Sequence, residues 1–216
     1  MSDQNSFSLG VWGLWMLLTV IGFILGGFVG TGVGLVAISI VSMFFPPSAL
    51  PYVADGSIVA AAVVAGVMIG IFQWFVLQRW FSNCLWWILA SAFGWLGIAF
   101  TIAFVMSTSW WRVNQSLSLW DDRGAIASSV TSLIIAALVI GILQSLALRF
   151  TPSQAALWIV MNIVVFLIAA IIIIFGVRNL AGIYSLPVFL AAYSPIYAAI
   201  SGVTLIRVLR DLITVK

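Results

Sequence analysis

Charge is almost absent from this chain, and where it occurs it marks the ends of long apolar runs. Only 6% of the 216 residues are charged and 64% are hydrophobic. A soluble domain carries about 25% charged residues, so a chain this apolar has too few to solvate a water-facing surface. The runs between the charges are long enough to cross a hydrocarbon core, which takes about 20 residues of helix. Residues 9–45, 57–78, 85–106, 125–148, 155–177 and 183–208 read as six such helices. They predict an all-α, polytopic transmembrane bundle in one domain, 1–216, with the lipid bilayer as its solvent. The first run exceeds any single crossing and must tilt, protrude, or loosen near Gly30, Gly32 and Gly34. Residues 2–8 form a short polar tail without the basic start of a signal peptide, so the first helix is expected to be retained.

What the chain lacks narrows the chemistry. It has no histidine and no glutamate, and its acids are Asp3, Asp55, Asp121, Asp122 and Asp211. The usual general bases and metal ligands are therefore missing, and histidine-held haem or chlorophyll is excluded. No enzyme activity, cofactor or metal is expected. The net charge of +3 is too small and scattered for a nucleic-acid face. With Cys84 as the single cysteine, no internal disulfide can form. No ionisable group falls at the centre of a span, which argues against a proton-coupled path and leaves a facilitator or channel open.

Basic residues set the orientation. With six spans, Arg79, Arg149, Arg207, Arg210 and Lys216 share one side with both termini, against Arg112, Arg123 and Arg178 on the other. Both termini are expected in the cytoplasm.

A repeat underlies these spans. Shifting the second and third helices by 71 positions lays Gly70, Gln73, Leu77, Ser82 and Trp87 on Gly141, Gln144, Leu148, Ser153 and Trp158. The last helix continues the series, with Ala198, Gly202, Leu209 and Arg210 matching Ala137, Gly141, Leu148 and Arg149. The first helix supplies the other half, since Trp15 and Thr19 match Trp87 and Ser91, then Trp158 and Asn162. Three two-helix units result, one of them split between the chain ends. They are parallel repeats that predict a possible pseudo-threefold ring about the membrane normal, closed by the last helix beside the first. Small residues four apart, such as Gly66 and Gly70 or Ala137 and Gly141, are expected to let helix backbones approach closely.

Thr19, Gln73, Ser91, Gln144 and Asn162 form the candidate site. Gln73 and Ser91 lie equally far from their hairpin turn, as do Gln144 and Asn162, each roughly 9 Å into the bilayer at 1.5 Å per residue. Gln144 and Asn162 are expected within hydrogen-bonding or single-water reach, and Gln73 near Ser91. The last helix carries Leu205 where the others carry glutamine, so Thr19 is expected to lack a partner and return to its own helix. One reading of the five is a pocket for a lipid head, a pigment or a small solute. The other is a set of interhelical hydrogen bonds, typically about 0.6 kcal/mol each.

Other features have plain readings. Trp12, Trp15, Trp80, Trp86, Trp87 and Trp158 near one boundary, and Trp110, Trp111 and Trp120 near the other, suit interfacial belts. The loop from Ser107 to Gly124 mixes aromatic and polar residues and is expected either to lie along the interface or to dock another membrane subunit. Within it, Asp121 and Asp122 are placed as helix N-caps, and Asn114-Gln115-Ser116 fits a glycosylation sequon. Pro187 and Pro195 are expected to kink the last helix.

The block GIFQWFVLQRWFSNCLWWILASAFGW, residues 70–95, resembles a motif in uncharacterised bacterial membrane proteins common among cyanobacteria. In them a Gly-x-x-Gln-Trp helix ending in Leu-Arg precedes a Trp-Trp helix. The likeness covers the second and third helices well and the fourth and fifth loosely, where Ser145 and Leu157 replace tryptophan. It implies a bacterial inner-membrane or thylakoid protein and brings no functional residues. Together these features predict a non-enzymatic accessory or assembly subunit. The alternative is a facilitator or binder of a small neutral solute, a lipid or a carotenoid-like apolar ligand.

Overall fold

In the computed structural model the chain is described over residues 2–44, 50–81, 84–97, 123–172 and 185–214. These residues form six helices and, among themselves, no strand: α1 (Ser2–Phe44), α2 (Leu50–Leu77), α3 (Leu85–Gly97), α4 (Arg123–Ala147), α5 (Pro152–Ile171) and α6 (Ser185–Thr214). Four contain stretches long and apolar enough to cross a membrane, namely Leu9–Phe44, Val59–Leu77, Val130–Ala147 and Pro152–Ile171. Over its described residues α3 is a shorter apolar helix. The protein is an all-α membrane bundle.

Several boundaries differ from expectation. The tail at residues 2–8 belongs to α1, which is one continuous helix of 43 residues, about 65 Å long. Gly30 does not loosen it. That glycine is a packing site, where a Cβ would stand 2.5 Å from the Ala61 carbonyl oxygen of α2. Gly22 and Gly26 meet Ile69 and Ala65 in the same way, at 3.1 and 3.0 Å. Three glycines one turn apart thus seat α1 on the backbone of α2, as small residues do where lipid supplies no hydrophobic drive.

The turn between α4 and α5 shows how local chemistry sets a hairpin. Arg149 adopts a positive φ of 54°, and Phe150 N–H returns to the Ser145 carbonyl at 3.0 Å, capping the end of α4. Thr151 then begins α5. Pro152 stands at the first helical position, where its missing N–H costs nothing, and the Gln154 side chain accepts the Thr151 N–H at 3.1 Å. In α6 only Pro195 lies in the helix interior; Pro187 sits in the first turn. Loop 107–122, with its tryptophans, aspartates and sequon, lies outside the described residues, as do Arg112, Arg178 and Lys216.

The repeat-related glycines behave alike in two units. A Cβ on Gly70 would reach 2.9 Å from Ile88 Cα, and one on Gly141 would reach 3.0 Å from Ile159 Cα. Ile88 and Ile159 are themselves 71 positions apart. Gly202 instead faces the indoles of Trp12 and Trp15 at 2.9 and 3.0 Å. The ring does close there: Trp12 Nε1 donates to the Ala199 carbonyl at 3.3 Å, tying α1 to α6.

Candidate functional site

At the centre of the bundle three tryptophans from related positions meet. Trp15, Trp87 and Trp158 are each fully buried. Their ring centroids lie 6.3 Å (Trp15–Trp87), 6.5 Å (Trp15–Trp158) and 5.5 Å (Trp87–Trp158) apart, all edge-to-face. Such edge-on contacts place the positive rim of one ring on the negative face of the next. The expectation of an interfacial belt fails for these three. Adjacent residues on a helix point about 100° apart, so Trp86 can lie 63% exposed while Trp87 turns inward.

Each indole N–H then finds an acceptor on the neighbouring helix of the ring. Trp87 Nε1 donates to Gln73 Oε1 and Trp158 Nε1 to Gln144 Oε1, both at 3.0 Å. Trp15 Nε1 donates to Ser201 Oγ at 2.9 Å. An indole only donates, so each glutamine oxygen must face its tryptophan, leaving the amide NH₂ to point across to the next helix. Gln73 Nε2 reaches Thr19 Oγ1 at 3.5 Å, and Gln144 Nε2 reaches Ser91 Oγ at 3.2 Å. The Tyr197 hydroxyl also engages Gln73.

All five candidate residues are buried and four of them are joined; Gln73 and Ser91 line one water-sized cavity, while the direct hydrogen bonds run between hairpins. Gln73 bonds Thr19 rather than Ser91, and Gln144 bonds Ser91 rather than Asn162. Thr19 therefore has the partner it was expected to lack, and Asn162 is the residue that returns to its own helix. Equal depth is shared by every member of a ring, so depth alone does not choose between the two helices flanking a glutamine. The tryptophan of its own hairpin decides it, by taking the oxygen.

Five of the six joints around the ring thus carry a side-chain bridge among the described residues. The exception is α5–α6, where Leu205 holds the place of the two glutamines. There Asn162 Nδ2 turns back to the Trp158 carbonyl at 3.0 Å, and its buried Oδ1 has no partner among the described residues. Ser194 Oγ on α6 is likewise unpartnered among them.

One turn beyond the polar layer, Phe23, Trp95 and Phe166 repeat the same spacing, and Tyr193 and Tyr197 join them. These rings, with Gln73, Ser91 and Gln144, line a cavity that has room for about one water molecule. Cys84, at the turn before α3, is buried in the core. Burial pushes its thiol pKa up from the ordinary value, offset in part by the hydrogen bonds of its own backbone and the Trp74 side chain. Among the described residues no three His, Cys, Asp or Glu side chains gather as a metal site.

Fold and site together define a class, an α-helical membrane bundle with an axis filled by aromatic rings and a hydrogen-bonded polar layer. Compared with known proteins, the chain finds no matching family, no matching curated protein and no matching solved structure.

Proposed function

We propose that the chain is a non-enzymatic membrane subunit, a sealed body that assembles with other membrane proteins rather than conducting a solute. The observation that carries this reading is the tryptophan triad. Three buried indoles in mutual contact, each anchored by its N–H, occupy the position on the axis where a conduit would need to be open. The polar layer behind them spends its hydrogen bonds on neighbouring helices, which supports a role in fixing register. Outward-facing apolar residues such as Leu17, Phe28, Leu35, Leu146 and Val160 supply surface for lipid and for partner helices alike. The resemblance to bacterial and cyanobacterial membrane proteins supports an inner-membrane or thylakoid location. The loop arginines support both termini on the cytoplasmic face.

Native purification in mild detergent tests the proposal. A stoichiometric partner that stays with the chain through size exclusion and fixes its abundance in the membrane is the expected result. Recovery of the chain alone, with the same abundance when candidate partners are deleted, would overturn it. The cavity beside Gln73 and Gln144 favours a second reading, binding or passage of a small neutral solute. Its single-water size supports nothing as large as a lipid head or a carotenoid.

A further inference from the structure

We propose that Asn162 is the acceptor of a built site for one small neutral hydrogen-bond donor, a water molecule or a hydroxyl group, at the α5–α6 joint. The direction of the amide is set by the protein. Its Nδ2 donates to the Trp158 carbonyl at 3.0 Å, and exchanging oxygen and nitrogen would set two acceptors against each other. Oδ1 is therefore the atom left to accept, on the residue that the repeat aligns with Thr19 and Ser91, which accept the bridge at the equivalent joints. It is fully buried and unpartnered among the described residues. A buried carbonyl without a donor loses its hydration and gains nothing in return, so such groups in native proteins are matched.

The repeat shows where the donor is missing. At the α1–α2 joint Gln73 supplies an amide N–H to Thr19, and at the α3–α4 joint Gln144 supplies one to Ser91. At the α5–α6 joint the acceptor is retained, as the longer Asn162, while the donor position holds Leu205, itself fully buried. No described residue supplies the donor, which we assign to a bound molecule. Its class follows from the surroundings. Oδ1 only accepts, so the ligand carries an O–H or N–H. Trp158 and Phe166, one turn to either side of Asn162 on α5, are uncharged, as is Leu205 at the matching position of α6, so the ligand is neutral. Complete burial keeps it small. Water meets all three conditions, and so does a hydroxyl of a glycerol-type lipid head reaching between the helices. This inference rests on the geometry of the joint and stands apart from the proposed assembly role.

An experimental structure at a resolution that shows ordered water tests it, using delipidated protein in an amine-oxide detergent and protein in phosphatidylglycerol nanodiscs. Density within hydrogen-bonding distance of Asn162 Oδ1 in both preparations identifies water, and density in the nanodiscs alone identifies a lipid hydroxyl. Its absence from both overturns the proposal. Thermal unfolding of Asn162→Leu gives an independent readout. Loss of a bound donor lowers the midpoint by roughly 2–4 °C, and the variant's structure loses the density. A raised midpoint, as expected when an unmatched polar group is simply removed, would overturn the site, as would density that persists in the variant.

Discussion

Replacing Gln144 by leucine isolates what one glutamine of the polar layer does. Leucine is close in volume and apolar, so packing changes little while two bonds disappear: Trp158 Nε1–H to Oε1 at 3.0 Å and Nε2–H to Ser91 at 3.2 Å. At about 0.6 kcal/mol per interhelical bond the direct loss is about 1.2 kcal/mol. The stranded groups raise it. Ser91 can turn its hydroxyl to a carbonyl of its own helix, whereas the Trp158 N–H, fully buried, has no such recourse, and an unmatched donor costs about 1–3 kcal/mol. The expected destabilisation is about 2–4 kcal/mol, or roughly 4–16 °C in the unfolding midpoint for a chain of this size. Circular dichroism in detergent measures it, with Leu146→Val on the exposed face as the control. In a Trp158→Phe background the same change should cost about 1 kcal/mol less, because the bond is already gone. A midpoint shift equal to the control's, or full additivity in the double variant, would refute the assignment of Gln144 to the layer.

Other substitutions follow from the same contacts. Gly70→Leu and Gly141→Leu place bulk against the backbones of α3 and α5 and should abolish folding, whereas Gly32→Ala, with open space around it, should be neutral or stabilising by up to about 1 kcal/mol in unfolding assays. Cys84→Ala should cost more than an exposed residue would, about 1 kcal/mol, because the thiol is buried. With its pKa raised by burial, Cys84 carries less thiolate near pH 8 than a free thiol, so maleimide labelling should be slow there and accelerate as pH rises toward the elevated pKa. A rate matching free cysteine would contradict that burial. Reporter fusions at Ser2 and at the C-terminus should give the same cytoplasmic signal, and opposite signals would overturn the orientation read from the arginines.

How much of this was legible in the sequence depends on which physical term decides each feature. Helix number and class follow from apolar run length, and the closure of α6 onto α1 was readable because Gly202 and Trp15 repeat positions seen elsewhere in the chain. The polar residues were also identifiable, since amides and hydroxyls in hydrocarbon seek partners. Their pairing was not, because each glutamine has a hydroxyl or amide at equal depth on both sides. The choice falls to an indole that composition also suits to a membrane boundary. A signal for the inward tryptophans was nonetheless present. Trp15, Trp87 and Trp158 repeat one turn before Thr19, Ser91 and Asn162, as Phe23, Trp95 and Phe166 do one turn after, so all share the face of the polar layer. Ser201 was invisible to the repeat, because its counterparts Ile69 and Ile140 are apolar and it serves only where the glutamine is missing.

The central claim is that the tryptophan triad closes the axis, and liposome flux measures that most directly. Purified chain reconstituted alone, at known copies per vesicle, should leave water and glycerol permeability equal to that of protein-free liposomes in stopped-flow light scattering. Permeability should remain at that level across a range of protein-to-lipid ratios. A saturable, protein-dependent flux through the unaltered chain would contradict the closed axis and replace the subunit reading with a facilitator.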